Sequence, residues 1–160
     1  MVISPKKIAD ELVKVERECR SCEHILNVVM PLAENQKLVL KALEKALKAE
    51  KILMSLVLKF EHIKREIILS KNKDKNIDIF FRKSLKYYGL HETDKKTLAQ
   101  LFDNGRKHEL SGFEFSRKNN VVIMDDDLNT YELKKDDVFR YVQAVRKLLV
   151  RFRIKIKQDK

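Results

Sequence analysis

Apolar side chains return every three or four residues through the first 71 positions, and this rhythm limits the chain to packed helices. In the first run Ile8, Leu12, Val15, Cys19, Cys22, Leu26 and Val29 alternate spacings of four and three, the pattern of a seam that faces another helix. Ser4 and Pro5 precede it as cap and first-turn residue, and Pro31 is predicted to end it. In the second run, predicted from about residue 33 to 71, Val39, Ala46, Leu53, Phe60 and Ile67 stand seven apart, with Ala42, Ala49, Leu56 and Ile63 between them. Leu40, Leu43, Leu47, Met54, Val57 and Leu58 widen that stripe, so the second helix should be central and touch more than one neighbour. Three Gly and two Pro in 160 residues leave little material for the turns of a sandwich or barrel. The pattern predicts a mainly α fold, a long antiparallel helical hairpin within a bundle of about five helices.

The polar stretch 70–76 reads as a hinge, followed by a third helix over about 77–88 that Gly89 closes in the left-handed region. A fourth helix is predicted over about 94–104, capped by Thr93 or Asp94 and stopped by Gly105. Between Phe113 and Leu133 the period changes to alternation, with turns at 118–120 and 125–129, which predicts a β-hairpin of two or three short strands. A last helix over about 135–155 carries its own seam of Val138, Val142, Val145, Leu149, Phe152 and Ile156. The chain is read as one domain over 1–160: hairpin 1–71, two short helices 72–112, β-hairpin 113–133 and basic helix 134–160.

The net charge of +11 is unevenly distributed. Segment 134–160 holds ten Lys or Arg against three Asp, whereas 113–133 holds two cations against five carboxylates. A helix this basic suits a polyanion, RNA or DNA before a membrane surface, with the Lys-rich face of the second helix contributing. The candidate contacts are Arg140, Arg146, Lys147, Arg151 and Arg153 on the last helix, and Arg82, Lys83 and Lys86 on the third. The latter stand among Phe80, Phe81, Tyr87 and Tyr88, although helical spacing sends most of these rings inward. The same charge also fits a merely solvated face, or the Lys- and Glu-rich composition of thermophiles. In the rival reading the helical seams pair with a second copy, giving a homodimer or a protein-interaction module with no nucleic-acid role.

No catalytic, metal or cofactor site is predicted. The chain has no phosphate loop, no G-x-S-x-G and no H-E-x-x-H, and none of His24, His62, His91 and His108 begins a metal pattern. Cys19 and Cys22 have the C-x2-C spacing of zinc ligands, but both occupy seam positions and are read as core. Asp125, Asp126, Asp127 and Asn129 lack the ligand spacing of an EF-hand and read as a turn. No apolar run approaches the roughly 18 residues of a membrane span, and MVISPKKIADEL lacks a signal-peptide pattern, so the expected location is the cytoplasm.

Two resemblances follow from the order of elements. Two helices joined through Gly89-Leu90-His91-Glu92-Thr93 and followed by a hairpin resemble a winged-helix DNA binder. The long helical pair, with GFEFSRKNNVVIMDDDLNTYEL feeding a final helix, resembles small HEPN-type helical proteins of prokaryotes. Ribonucleases of that family carry Arg and His separated by four to six residues. Arg20 and His24 are separated by three and Arg106 and His108 by one, so the expectation is of fold without the catalytic pair.

Overall fold

The computed structural model describes residues 3–159 and is mainly α. Helix α1 (Pro5–His24) starts where predicted, because the Ser4 hydroxyl accepts the Lys7 N–H and Pro5 has no N–H to satisfy. Pro31 does not end the helical path. Ile25–Val29 widens into a π turn in which the Met30 N–H reaches the Ile25 carbonyl, and α2 (Met30–Ala33) continues with Pro31 in its first turn. A proline ring clashes with the carbonyl four residues back, and a wider turn relieves the clash. The path ends instead at Glu34, in the left-handed region at φ 51°.

Helix α3 (Leu38–Ile63) is shorter than the 33–71 predicted. Arg65, at φ 63°, reverses the backbone; its N–H bonds the His62 carbonyl and the Glu66 N–H bonds the Glu61 carbonyl, the paired closure of a Schellman end. The seam residue Ile67 is still buried, but the chain delivers it from beyond the helix. The expected hinge is partly helical, since Asn72 caps α4 (Lys73–Arg82) by accepting from the Asp74 and Lys75 N–H groups. Asn76 clamps the approach by accepting from the Ser70 N–H and donating to its carbonyl, both at 2.8 Å. A 3-10 turn, Ser84–Tyr88, replaces the end of the predicted third helix and closes at Gly89, φ 64°.

Helix α5 (Glu92–Leu110) follows an extended His91 rather than Thr93 or Asp94, and it runs through Gly105. Gly105 is therefore a packing residue and not a terminator: a Cβ built there would stand 2.5 Å from Leu47 Cδ2 and 3.0 Å from Leu47 Cγ. The segment 72–112 thus holds one short helix and one of 19 residues. Strands β1 (Phe113–Arg117), β2 (Asn120–Met124) and β3 (Thr130–Leu133) form an antiparallel meander in that order, and α6 (Lys135–Gln158) completes the chain.

One core joins these elements. Helix α3 packs against α1, α4, α5 and α6, and its buried residues include Leu43, Leu47, Leu53, Met54 and Val57. Val121, Ile123 and Leu133 add the sheet, and Phe80, Leu98, Leu149 and Phe152 the remaining helices. Most residues of the three predicted seams, Cys19, Cys22, Leu26, Leu53, Val145 and Leu149 among them, are covered within a single chain. Among the described residues no helix is long and apolar enough to cross a membrane.

Replacing a helix-interior Gly by Ala ordinarily gains up to about 1 kcal/mol. Gly105→Ala should instead lose about 1 to 2 kcal/mol, because Leu47 must leave its place in the core. Thermal melting of Gly105→Ala, Leu47→Ala and the double variant checks this: the double variant should be more stable than the sum of the two losses predicts.

Candidate nucleic-acid interface

The side chains of α6 divide by helical position. Val138, Tyr141, Val142, Val145, Leu148, Leu149 and Phe152 turn into the core, and Arg140, Lys147, Val150, Arg151 and Ile154 lie exposed on the opposite face. Arg146 and Arg153 occupy the edge facing α1, half-buried. Basic side chains are long enough to lie over neighbouring helices, so the charge of α6 is shared out among contacts before any ligand arrives.

Five of the eight predicted contacts have carboxylate partners within the chain. Arg146 donates from Nη1 to Glu16 at 2.8 Å and from Nε to Glu23 at 2.8 Å, fastening α6 to α1. The Arg146 hydrogen bond holds the Glu16 carboxyl below the usual glutamate range, although burial opposes it. Arg153 approaches the other Glu16 oxygen at 3.8 Å, Lys147 pairs with Asp94 at 3.1 Å, Arg82 with Asp78 at 2.7 Å, and Arg140 with Asp137. Arg151, Lys83 and Lys86 have no carboxylate partner among the described residues.

The third-helix group and α6 meet at the 3-10 turn. Lys155 Nζ lies 5.5 Å from the Tyr87 ring centre and 6.0 Å from that of Tyr88, while Lys86 Nζ stands 5.1 Å from Tyr87. Phe80 and Tyr88 are buried, and Phe81 and Tyr87 are half-buried against the core, so these rings are core as expected, with Tyr87 lying beside the cations. Lys155 was not predicted, because only the three-dimensional turn at Gly89 carries the tyrosines to α6.

Two grooves flank the outward face of α6. On one side a groove of about 400 Å³ runs past Gly89, Leu90, Asp94, Lys147, Val150 and Arg151. On the other, one of about 550 Å³ lies between α1 and α6 and is lined by Val13, Glu16, Arg17, Arg20, Ser21, His24 and Arg153. Arg20 makes a 3.4 Å contact with Glu16 but is largely exposed, and Arg17 has no carboxylate partner among the described residues. Sequence reasoning missed Arg17, Arg20 and His24 as a group. It also missed a spacing: Arg17 and His24 are separated by six residues, within the four to six of the HEPN ribonuclease pair. The expected absence of that spacing is therefore corrected, and the signal was present in the sequence as two residues seven apart on one helix face.

Other candidate chemistry resolves into structure. Cys19 and Cys22 are fully buried, and burial pushes both thiols up to about 12, which leaves them protonated and poor ligands. Asp125 ties its turn by accepting from the Asp127 and Asn129 N–H groups. Among the described residues no three His, Cys, Asp or Glu side chains gather to hold a metal.

Because Arg146 is shared by two carboxylates from the facing helix, Arg146→Met should cost about 1 to 2 kcal/mol. Arg151→Met, lacking any carboxylate partner, should stay within about 0.5 kcal/mol of the parent. Urea denaturation of the two variants in low salt makes the comparison.

The chain matches no family model, no curated protein and no solved structure.

Proposed function

We propose that the chain is a nucleic-acid or ribonucleoprotein binding module that acts without catalysis, taking the phosphate backbone of RNA or DNA along the outward face of α6. The observation that supports this most is the pair of grooves beside α6, edged by cations from two elements: Arg17 and Arg20 of α1, and Lys147, Arg151 and Arg153 of α6. Arg146 belongs to the scaffold under this reading, holding α1 and α6 at the separation that forms one groove. Tyr87 is half-buried against the core beside Lys86 and Lys155, and the part of its ring left open offers an edge for an unpaired base. Two reduced, buried cysteines accord with a cytoplasmic setting.

Engaging about four phosphates gives a log–log dependence of affinity on salt with a slope of roughly −3 on single strands. Fluorescence anisotropy with labelled RNA and DNA across a salt series should give such a slope, and replacing Arg17, Arg20, Arg151 and Arg153 together by Gln should bring it close to zero. Absence of binding at low salt contradicts the proposal and leaves the oligomerising module as the better account.

A second reading, a divergent ribonuclease of HEPN type, is favoured by one specific observation. Arg17 and His24 share the α1–α6 groove with Arg20 and Ser21, supplying cations for a phosphate and an imidazole able to move a proton. Labelled RNA should then be shortened by the parent protein and left intact by His24→Ala; RNA that stays whole for hours with the parent contradicts this reading and leaves the binding reading standing.

A further inference from the structure

His108 lies where three elements meet. From α5 its Nε2 is 2.9 Å from a Glu44 carboxylate oxygen on α3, and its Nδ1 is 2.5 Å from a Glu114 oxygen on β1. Both neighbours are acceptors when ionised, so both ring nitrogens must donate, and only the imidazolium has two N–H groups. The His108 side chain is 13% exposed and Glu114 20%, whereas Glu44 faces solvent at 43%, so the β1 side of the triad is the more sheltered. Apart from Ser111 in the connecting turn, no other side-chain hydrogen bond among the described residues joins the sheet to the helical bundle.

We infer that Glu44–His108–Glu114 is a proton-operated latch that holds strand β1 against α3 and α5 and loosens when the imidazolium loses its proton. The neutral ring can donate to only one carboxylate and turns a lone pair toward the other. The surrounding charges decide which side gives way. On α3, Lys41 approaches Glu44 at 3.4 Å, Lys48 is drawn to Glu18 at 3.3 Å, and Lys51 pairs with Glu109 of α5 at 2.9 Å. On β1, Glu114 has His108 as its cationic partner. Lys41 keeps Glu44 compensated after His108 is neutral, so the β1 side of the latch is the side that opens.

Burial by itself lowers the proton affinity of His108, and the hydrogen bonds its ring donates to Glu44 and Glu114, with the charges of those carboxylates, more than offset it, leaving the ring above the usual histidine range. A group whose proton is held more tightly folded than unfolded adds stability that is complete below the unfolded value, near about 6.5, and is lost as pH rises through the folded value. The latch is therefore closed in mild acid and loosens as pH rises through the raised value of the folded ring.

The test is a proton NMR titration of the His108 ring in the parent protein, run with amide-exchange protection factors for β1 and α3 corrected for intrinsic exchange. As His108 titrates, β1 protection should fall about tenfold relative to α3, the factor of one lost hydrogen bond to a charged group. Glu114→Gln should lower the ring's midpoint and remove the pH step in β1 protection. A ring that titrates at or below the free-histidine value, or β1 protection unchanged through the titration, overturns the latch.

Discussion

Everything in the fold depends on α3 being apolar on more than one side. A helix with a single apolar stripe can satisfy one partner, whereas α3 buries Val39, Ala42, Ala46, Ala49, Leu53 and Leu56 along one line and Leu40, Leu43, Leu47, Met54 and Leu58 beside it. Each large side chain so buried contributes on the order of 1.5 to 3 kcal/mol, and none reaches that value without helices on several sides. The alanines let neighbours come close, and Gly105 shows how close: α5 approaches until Leu47 fills the space of a missing methyl group.

The same crowding sets the polar chemistry of the interior. Glu50 is fully buried on α3 with no hydrogen-bond partner among the described residues, and burial, assisted by Asp103, raises its carboxyl well above the usual range. Burial there favours the neutral acid, the form a low-dielectric site tolerates. Glu61 is also buried but receives the Tyr88 hydroxyl at 2.6 Å, and Glu18 lies between Lys45 and Lys48. Carboxylates on α1 and α3 thus act as internal partners. Glu16 and Glu23 draw Arg146 inward in the same way, so the charge of α6 is partly structural.

Periodicity made the scaffold legible. The central role of α3, its pairing with α1, the seam of α6 and the small sheet all follow from spacings of three, four and two. What it did not carry was backbone geometry that overrides residue stereotypes. Pro31 sits inside the helical path because a π turn makes room, Gly105 sits inside a helix because Leu47 needs its space, and Arg65 takes the left-handed place expected of glycine. The interface was half legible. Helical spacing identified the outward cations of α6, but it cannot tell that Arg146 has two carboxylates waiting on α1, nor that Lys155 meets Tyr87 across a turn. Arg17 and His24 differ, since their spacing was readable and only their shared groove with Arg153 gives it meaning.

In the proposed function the outward face of α6, with the adjoining edge of α1, is the surface that meets a polyanion, and Arg146 is part of the frame. The most direct test follows arginine side-chain NMR signals while a single-stranded oligonucleotide is added. The Nε–Hε resonances of Arg17, Arg20, Arg151 and Arg153 should move together and that of Arg146 should stay in place. Shifts confined to the neighbourhood of Lys41, Lys45 and Lys48 on α3, or spread evenly over all cations, would contradict it.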